Sequence, residues 1–521
     1  MQVDIPIETG NAALDLALNT IKIGKQALIF VNSKRSAEKT AEDIAKKIKS
    51  QSKELSEISN EALKALSSPT KQCERLSSCI RNGIAFHHAG LVAKQRELVE
   101  DNFKKGIIKI ICCTPTMAAG IDLPAFRSII KDLRRYGVMG MSYIPVLEYM
   151  QMSGRAGRPK YDSYGEAISI AISENEKEKI HEKYILGEPE EIYSKLAVEP
   201  VLRTYLLSLI AANFVNTRKK IIEFFEKTFW AFQFADMETL IAKIDKMLNI
   251  LKEWEFIEMH DKEDKGDFID ANKINQEKEM VRATVMGKRV AELYIDPLTA
   301  YSFILSLKQA AKNKINEFSF LQMISHTLEI RPLLRATIKE QGKMQENLIK
   351  HYDFLLEKEP SLYEPEYEDF INSIKTALLF YEWINEKNEE YLLENFNARP
   401  GELKAKIEIA DWLLYATEEI NRILKQQHLN NEIAKLRLRL KHGIREELLP
   451  LIRMEGIGRV RARKLYSNKI KDITDLKNAD LVKLTQILGK QIALNVKKHL
   501  GQEIKEVPEG KRKGQISLRD Y

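Results

Sequence analysis

In the segment "QMSGRAGRP", residues 151–159, Arg155 and Arg158 stand three positions apart among residues too small to cover them. A guanidinium is permanently charged, and its planar fork matches phosphoryl oxygens, so two of them one helical turn apart can reach a single anion. Gly154, Ala156 and Gly157 keep the approach open. No acidic residue lies between Gln151 and Lys160 to neutralise the pair. A second stretch, "CTPTMAAGIDLPA" at 113–125, offers the Thr114 and Thr116 hydroxyls, a glycine at 120 that lets backbone approach a ligand, and Asp122 as an acceptor for hydroxyls. A glycine-containing loop at the carboxyl end of a strand is an ordinary place to meet phosphate or ribose, and many such loops carry no ligand.

A third candidate is "MEGIGRVRARKLY". Its hydrophobic-Gly-hydrophobic-Gly turn has the pattern of helix–hairpin–helix modules, where Gly456 and Gly458 free two backbone N–H groups to face a DNA phosphate. Arg459, Arg461 and Arg463 add charge on the helix that follows. Such hairpins read no base sequence, so binding is expected to be structure-selective and salt-dependent. The charge distribution agrees. From Lys435 to Tyr521 there are 22 Lys+Arg against 10 Asp+Glu, a net of +12, whereas Met1–Ala434 carries −5 of the formal +7. A basic block on a mildly acidic body suggests a polyanionic partner.

Composition excludes several classes. With 44% hydrophobic and 30% charged residues the chain reads as a globular protein, and 521 residues imply three or four domains. No apolar run reaches the ~18 residues of a membrane span, and "MQVDIPIETG" does not read as a signal peptide. Four cysteines (Cys73, Cys79, Cys112 and Cys113) are too few for a disulfide scaffold, and the last two end an apolar strand-like run. No Cys/His group has zinc spacing, and His87–His88 lacks the further ligands a metal needs, so no metal site is expected in the chain itself. The expected setting is intracellular: cytoplasmic and nucleoid-associated.

The elements that must hold these residues follow from periodicity. "ALIFV", "GIAFHH", "IIKIICC", "RSIIKDL" and "EAISIAI" read as five strands separated by helical patterns, with Ser33 capping the helix after the first. Alternation of this kind predicts an α/β domain with a mostly parallel sheet over residues 1–190. Within it, "IIKDLRRYGVMGMSYIPVLEY" (129–149) places strand-like runs about Gly137–Gly140, a β-hairpin with Val138 and Met139 at its apolar tip. Residues 191–290 read as helices followed by two short strands, a winged helix, and 291–435 as a helical bundle broken by prolines. Residues 436–505 carry the glycine hairpin, and 506–521 read as a flexible basic tail.

Taken in order, "ALIFVNSKRSAEKTA", "FHHAGL", "CCTPTMAAGIDLPA" and "QMSGRAGRP" resemble motifs IV to VI of superfamily-2 helicases. The likeness continues through "YIDPLTA", "ADWLLYATEEI" and "LKHGIREELLPLIRMEGIGRVRARKLY", so nearly the whole chain is similar to the archaeal Hjm-type repair helicases of the Ski-like group. That resemblance implies an α/β RecA-like motor domain followed by winged-helix, helical ratchet and helix–hairpin–helix domains. It implies ATP with Mg2+ as cofactor, and 3′→5′ movement on single-stranded and forked DNA as a monomer. It assigns Arg155 and Arg158, with Gln151, to the γ-phosphate as arginine fingers. It places Gly120 and Asp122 near the nucleotide. Ser33, Arg35, His88 and Thr114 would face the nucleic-acid backbone, Val138 and Met139 would wedge between strands, and Trp412 would stack on a base, unless it is a core tryptophan. Where relatives tend to carry an arginine seven residues before Trp412, this chain has Ala405 between Lys404 and Lys406.

Two departures shape the expectation. No G-x-x-x-x-G-K-[ST] phosphate loop and no D-E-x-[HD] box occur in these 521 residues, so the chain resembles a helicase without its first motor domain and is expected to be inactive as an ATPase alone. "QISLRDY" resembles the clamp-binding peptide, with Gln515, Leu518 and Tyr521 in its key positions. The rival reading is a non-enzymatic, structure-selective nucleic-acid-binding scaffold, and a Ski-like RNA helicase is a third. The glycine hairpin favours DNA.

Overall fold

The computed structural model describes residues 4–48, 52–66, 68–118, 123–137, 140–158, 162–261 and 279–502. The chain divides into two compact units, one made of residues 1–192 with 388–405 and the other of 193–387 with 406–521.

In the first unit the apolar runs become short buried strands: β1 (Ala27–Phe30), β2 (Ile84–His87), β3 (Ile110–Cys113), β4 (Arg127–Ile130) and β7 (Glu166–Ser169). They pair in the order β2–β3–β1–β4–β7, all parallel, with Ala27 opposite Ile110 and Arg127. Phe30, Phe86, Ile111 and Ile129 lie in the core because both faces of a parallel sheet are covered by helices. Ser33 caps the helix Lys34–Ala45, its hydroxyl accepting from the Ser36 N–H at 3.1 Å. The predicted hairpin is narrower than 129–149. It consists of β5 (Arg134–Gly137) against β6 (Gly140–Tyr143), while Ile129 and Ile130 belong to β4 and residues 146–149 open the helix Val146–Ser153.

Residues 388–405 were expected to lie in the helical bundle and instead pack with the α/β unit. The approach is a backbone one. The Gly401 N–H donates to Gly90 O at 3.0 Å, and a Cβ on Gly401 would stand 2.3 Å from Leu91 O and 2.5 Å from Ala89 O.

The second unit opens with the helices Glu199–Ala211, Arg218–Phe225, Phe229–Phe234 and Met237–Glu253. The antiparallel pair β8 (Ile257–Asp261) and β9 (Glu279–Ala283) follows, and then the helix Val285–Leu293. Arg203 and Asp296, both buried, make a two-pronged ion pair at 2.6 and 2.7 Å between this module and the helices after it. The unit also holds long helices, among them Glu366–Ile384 and the part of Pro400–Ile423 after residue 405. A separate small core, including Ile444, Leu451, Ile457, Leu465, Leu484 and Val496, holds the short helices of the C-terminal module together.

Candidate functional site

At the end of the helix Val146–Ser153 the chain turns through Gly154, and the Ala125 N–H donates to Arg155 O while the Gly157 N–H donates to Ala125 O. These bonds place the arginine segment against the stretch leading into β4. Gly157 has a φ of +91°, which favours glycine, and Gly165 packs against its backbone so closely that a Cβ there would meet Gly157 N at 2.2 Å. The turn is built for close backbone approach.

The two arginines are treated differently. Arg155 donates from Nε to Ala118 O at 3.1 Å and from Nη2 to the same carbonyl. Among the described residues no carboxylate lies in salt-bridge reach of it. Arg158 donates from Nε to Asp162 Oδ2 at 2.7 Å, from Nη2 to Asp162 Oδ1 at 3.3 Å and from Nη1 to Gln26 Oε1 at 2.5 Å. The Asp162 side chain is 1% exposed and also accepts from Lys25 Nζ at 2.7 Å. The Arg158 hydrogen bond, with help from Lys25, outweighs burial and holds the Asp162 carboxyl down to about 2. The sequence reading therefore missed a partner by two residues, since the acid-free window ends at Lys160. The spacing of four between Arg158 and Asp162 was the signal that could have found it. Gln151 is exposed one turn earlier. Gly120 and Asp122 lie outside the described residues.

The other residues expected near nucleic acid fall into two groups. Ser33 and Arg35 are exposed at the carboxyl end of β1. Thr114 is nearly buried, with its hydroxyl bonded to that of Thr116 at 2.9 Å, and His88 is fully buried. His88 therefore presents no surface to a nucleic-acid backbone in this structure. Its Nδ1 accepts from the Gly90 N–H at 3.1 Å, and its Nε2 lies 3.2 Å from Glu38 Oε1 without a hydrogen bond to it. Burial pushes the His88 pKa down against the pull of Glu38. Glu38 accepts from Gln72 at 3.0 Å, from Arg399 at 3.2 Å and from Arg75. Burial raises its carboxyl, but His88, Arg399 and Gln72 together bring it to about 2. Lys34 beside it bonds Glu402. Arg399 and Glu402 carried no sequence signal, because their partners Glu38 and Lys34 lie 361 and 368 positions away.

On the hairpin, Val138 and Met139 lie outside the described residues, while Tyr136 is 80% exposed. Arg134 sits 4.4 Å over the Tyr143 ring and donates to its hydroxyl at 2.6 Å, which stiffens the hairpin's base.

In the second unit, the half-buried Trp412 donates its indole N–H to Leu293 O at 3.0 Å, which leaves only the ring for stacking. Lys406 is turned inward onto Ile330 O (3.1 Å) and Pro332 O (2.6 Å), and burial lowers its pKa to about 8, so it does not stand in for a ratchet arginine.

The glycine hairpin is exposed at both Gly456 and Gly458. Gly456 has a φ of +82°, and a Cβ on Gly458 would meet nothing within 4 Å. No side chain caps the helix Arg459–Ser467, so its first-turn N–H groups have no side-chain acceptor at the cap. Its arginines divide. Arg461 is exposed and, among the described residues, bonds Gly456 O alone, at 2.9 Å. Arg459 lies over the Trp383 ring at 4.5 Å and bonds Lys387 O at 2.6 Å. Arg463 holds Glu386 at 2.6 and 2.7 Å and Glu447 at 2.8 Å. The expectation that all three add free charge is thus corrected: Arg463 is neutralised by two carboxylates and anchors the module.

Among the described residues no group of three His, Cys, Asp or Glu could hold a metal ion, and no helix is long and apolar enough to cross a membrane. Comparison with known families matches residues 10–160 to "Helicase conserved C-terminal domain", 318–443 to "Archaeal helicase, domain 4" and 448–502 to "SAM-like Helix-hairpin-helix tandem". The ATP-dependent DNA helicase Hel308 of Pyrococcus horikoshii is 41% identical over 517 residues, spanning 98% of this chain and 68% of the relative. That of Pyrococcus abyssi is 40% identical with the same coverage, and that of Methanocella arvoryzae 37% identical over 95% of this chain and 65% of its own length.

Proposed function

The chain belongs to the Hel308 family of archaeal superfamily-2 helicases, and from that premise we propose that it forms the second motor, winged-helix, ratchet and helix–hairpin–helix part of an ATP-dependent helicase that moves 3′→5′ on forked DNA in repair. Family membership disfavours the scaffold and RNA-helicase readings. The observation that carries the DNA assignment is the exposed, uncapped Gly456–Gly458 hairpin with Arg461 beside it.

Each group of residues then has a task. Gly456, Gly458 and Arg461 hold a DNA phosphate without reading bases, with Arg459 and Arg463 fixing the helix that presents them. Ser33 and Arg35 face the tracking strand, with Thr114 behind them and His88 setting their loop from within. Val138 and Met139, with Tyr136, separate the duplex, and the Trp412 ring stacks on a base. ATP with Mg2+ binds chiefly to a Walker-A motor domain. The residues in this chain that fit its phosphate end are Arg155 and Arg158 beside Gln151, and by sequence resemblance Gly120 and Asp122. The nucleotide supplies the free energy; this chain's arginines orient and stabilise its terminal phosphate. We also assign Gln515, Leu518 and Tyr521 to a sliding-clamp contact, and an intracellular setting follows from DNA as substrate.

The test is binding of the 521-residue chain to forked DNA across a salt series. Affinity falls steeply with salt, and Arg461→Ala lowers the log–log slope by about 0.7–0.9. Equal affinity for forks and for a polyanion such as heparin, with no response to Arg461→Ala, contradicts the assignment.

A further inference from the structure

The second unit carries a groove lined by no residue proposed to meet DNA or nucleotide. The helix Gln341–His351 forms one side, and the stretch 359–371, which runs into the helix Glu366–Ile384, forms the other. Two hollows of about 480 and 590 Å³, sharing Gln345 and Tyr367, make up its length. Leu348 and Ile371, both buried, lie at its floor. Ile338, Ile349 and Leu362 line it at 86, 76 and 59% exposure, and Tyr363 beside them is 93% exposed. Apolar side chains gathered about a hollow mark a binding surface, unlike the same residues scattered singly.

Charge points to the occupant. Residues 353–369 carry seven carboxylates against Lys358 alone, while the facing stretch 335–350 carries four basic residues against two acids. Glu359 and Glu366 have no ion-pair partner among the described residues. The groove therefore suits a segment with apolar anchors and a basic run. This chain contains one beyond its described residues: "KRKGQISLR", 511–519, has four basic residues and no acid, and Asp520 follows. In an extended chain Ile516 and Leu518 project to the same side. Gln502 belongs to the same unit as the groove, and the fourteen residues from it to Ile516 span up to about 45 Å.

We propose that residues 511–519 seat in this groove of their own chain, with Ile516 and Leu518 in its hollows and the basic run along the acidic side. Asp520 then meets the lysines opposite. Tethering supplies an effective concentration on the order of 1 mM, so a contact of only about 0.1 mM is mostly occupied. A seated tail withholds Leu518 from a sliding clamp. That consequence rests on the clamp reading; the seat does not.

The experiment is trypsin cleavage within residues 511–513 of the 521-residue chain, read by intact mass. Cleavage follows the unseated fraction when seating is fast. Leu362→Ser and Leu518→Ser are each expected to speed it at least fivefold, and the double variant no further, because either removes the same contact. Leu362 is more than half exposed, so Leu362→Ser melts as the parent. Glu359→Lys/Glu366→Lys speeds cleavage at least threefold without touching an apolar side chain, and added salt brings the parent toward that rate. A parent cleaved as fast as Leu362→Ser, additive effects in the cycle, or protection that survives every groove variant overturns the proposal. So does a parent rate that falls with protein concentration, which places the tail in a second copy. The assay contains no clamp, so failure of the clamp reading leaves its result standing.

Discussion

Arg463 and Arg461 sit two positions apart on one helix, and residue type gave no means of separating them. The structure does so by partners: among the described residues Glu386 and Glu447 hold Arg463, while Arg461 bonds a single carbonyl. Removing Arg463 leaves Glu386, whose side chain is 15% exposed, short of its main cation. Arg463→Ala is therefore expected to cost about 2 kcal/mol of stability, between the worth of an exposed and of a buried pair, while Arg461→Ala stays within about 0.5 kcal/mol. Burial pushes the Glu386 carboxyl up, but the Arg463 bonds and the Arg445 N–H outweigh it, so its pKa lies below the ordinary value, as does that of Glu447. A lowered carboxyl contributes stability above its unfolded pKa and loses it as pH falls. Melting temperature should thus drop more steeply for the parent than for Arg463→Ala between roughly pH 5 and pH 3. Parallel curves would show the pair to be idle. His88 teaches the same lesson, since a motif position expected at a nucleic-acid surface is enclosed by Glu38 and Gly90.

At the level of elements, the strands were legible because "ALIFV" and the "IICC" of "IIKIICC" are continuous apolar runs suited to a doubly covered parallel sheet. The hairpin was legible from Gly137 and Gly140, though its ends were not, because the apolar runs flanking it serve β4 and the next helix. The return of residues 388–405 to the α/β unit was invisible. Its determinants are Gly401 against Leu91 O and the Arg399–Glu38 pair, which show in sequence only as a Pro-Gly break. The tail beyond Gln502, with Gln515, Leu518 and Tyr521, lies outside the described residues, so the clamp reading stands on motif spacing. Titration of an archaeal sliding clamp should show at least tenfold weaker binding for a chain ending at Gly514. Equal affinity removes the tail from this role.

Across the molecule, the charge split is the property that the sequence stated most plainly: +12 after residue 434 against −5 before it. The hairpin proposed to hold DNA and the arginines proposed to meet the phosphate belong to different units, so neither alone amounts to a motor, and the 521 residues contain no G-x-x-x-x-G-K-[ST] phosphate loop. The most direct measurement is ATP hydrolysis by this chain joined to a Walker-A superfamily-2 motor domain, with and without forked DNA, for the parent and for Arg155→Ala. The account predicts background turnover for the 521 residues alone, DNA-stimulated turnover for the joined parent, and a fall of about 10³-fold or more with Arg155→Ala while DNA affinity is retained. Turnover unchanged by Arg155→Ala, or DNA-stimulated hydrolysis by the 521-residue chain alone, would contradict it.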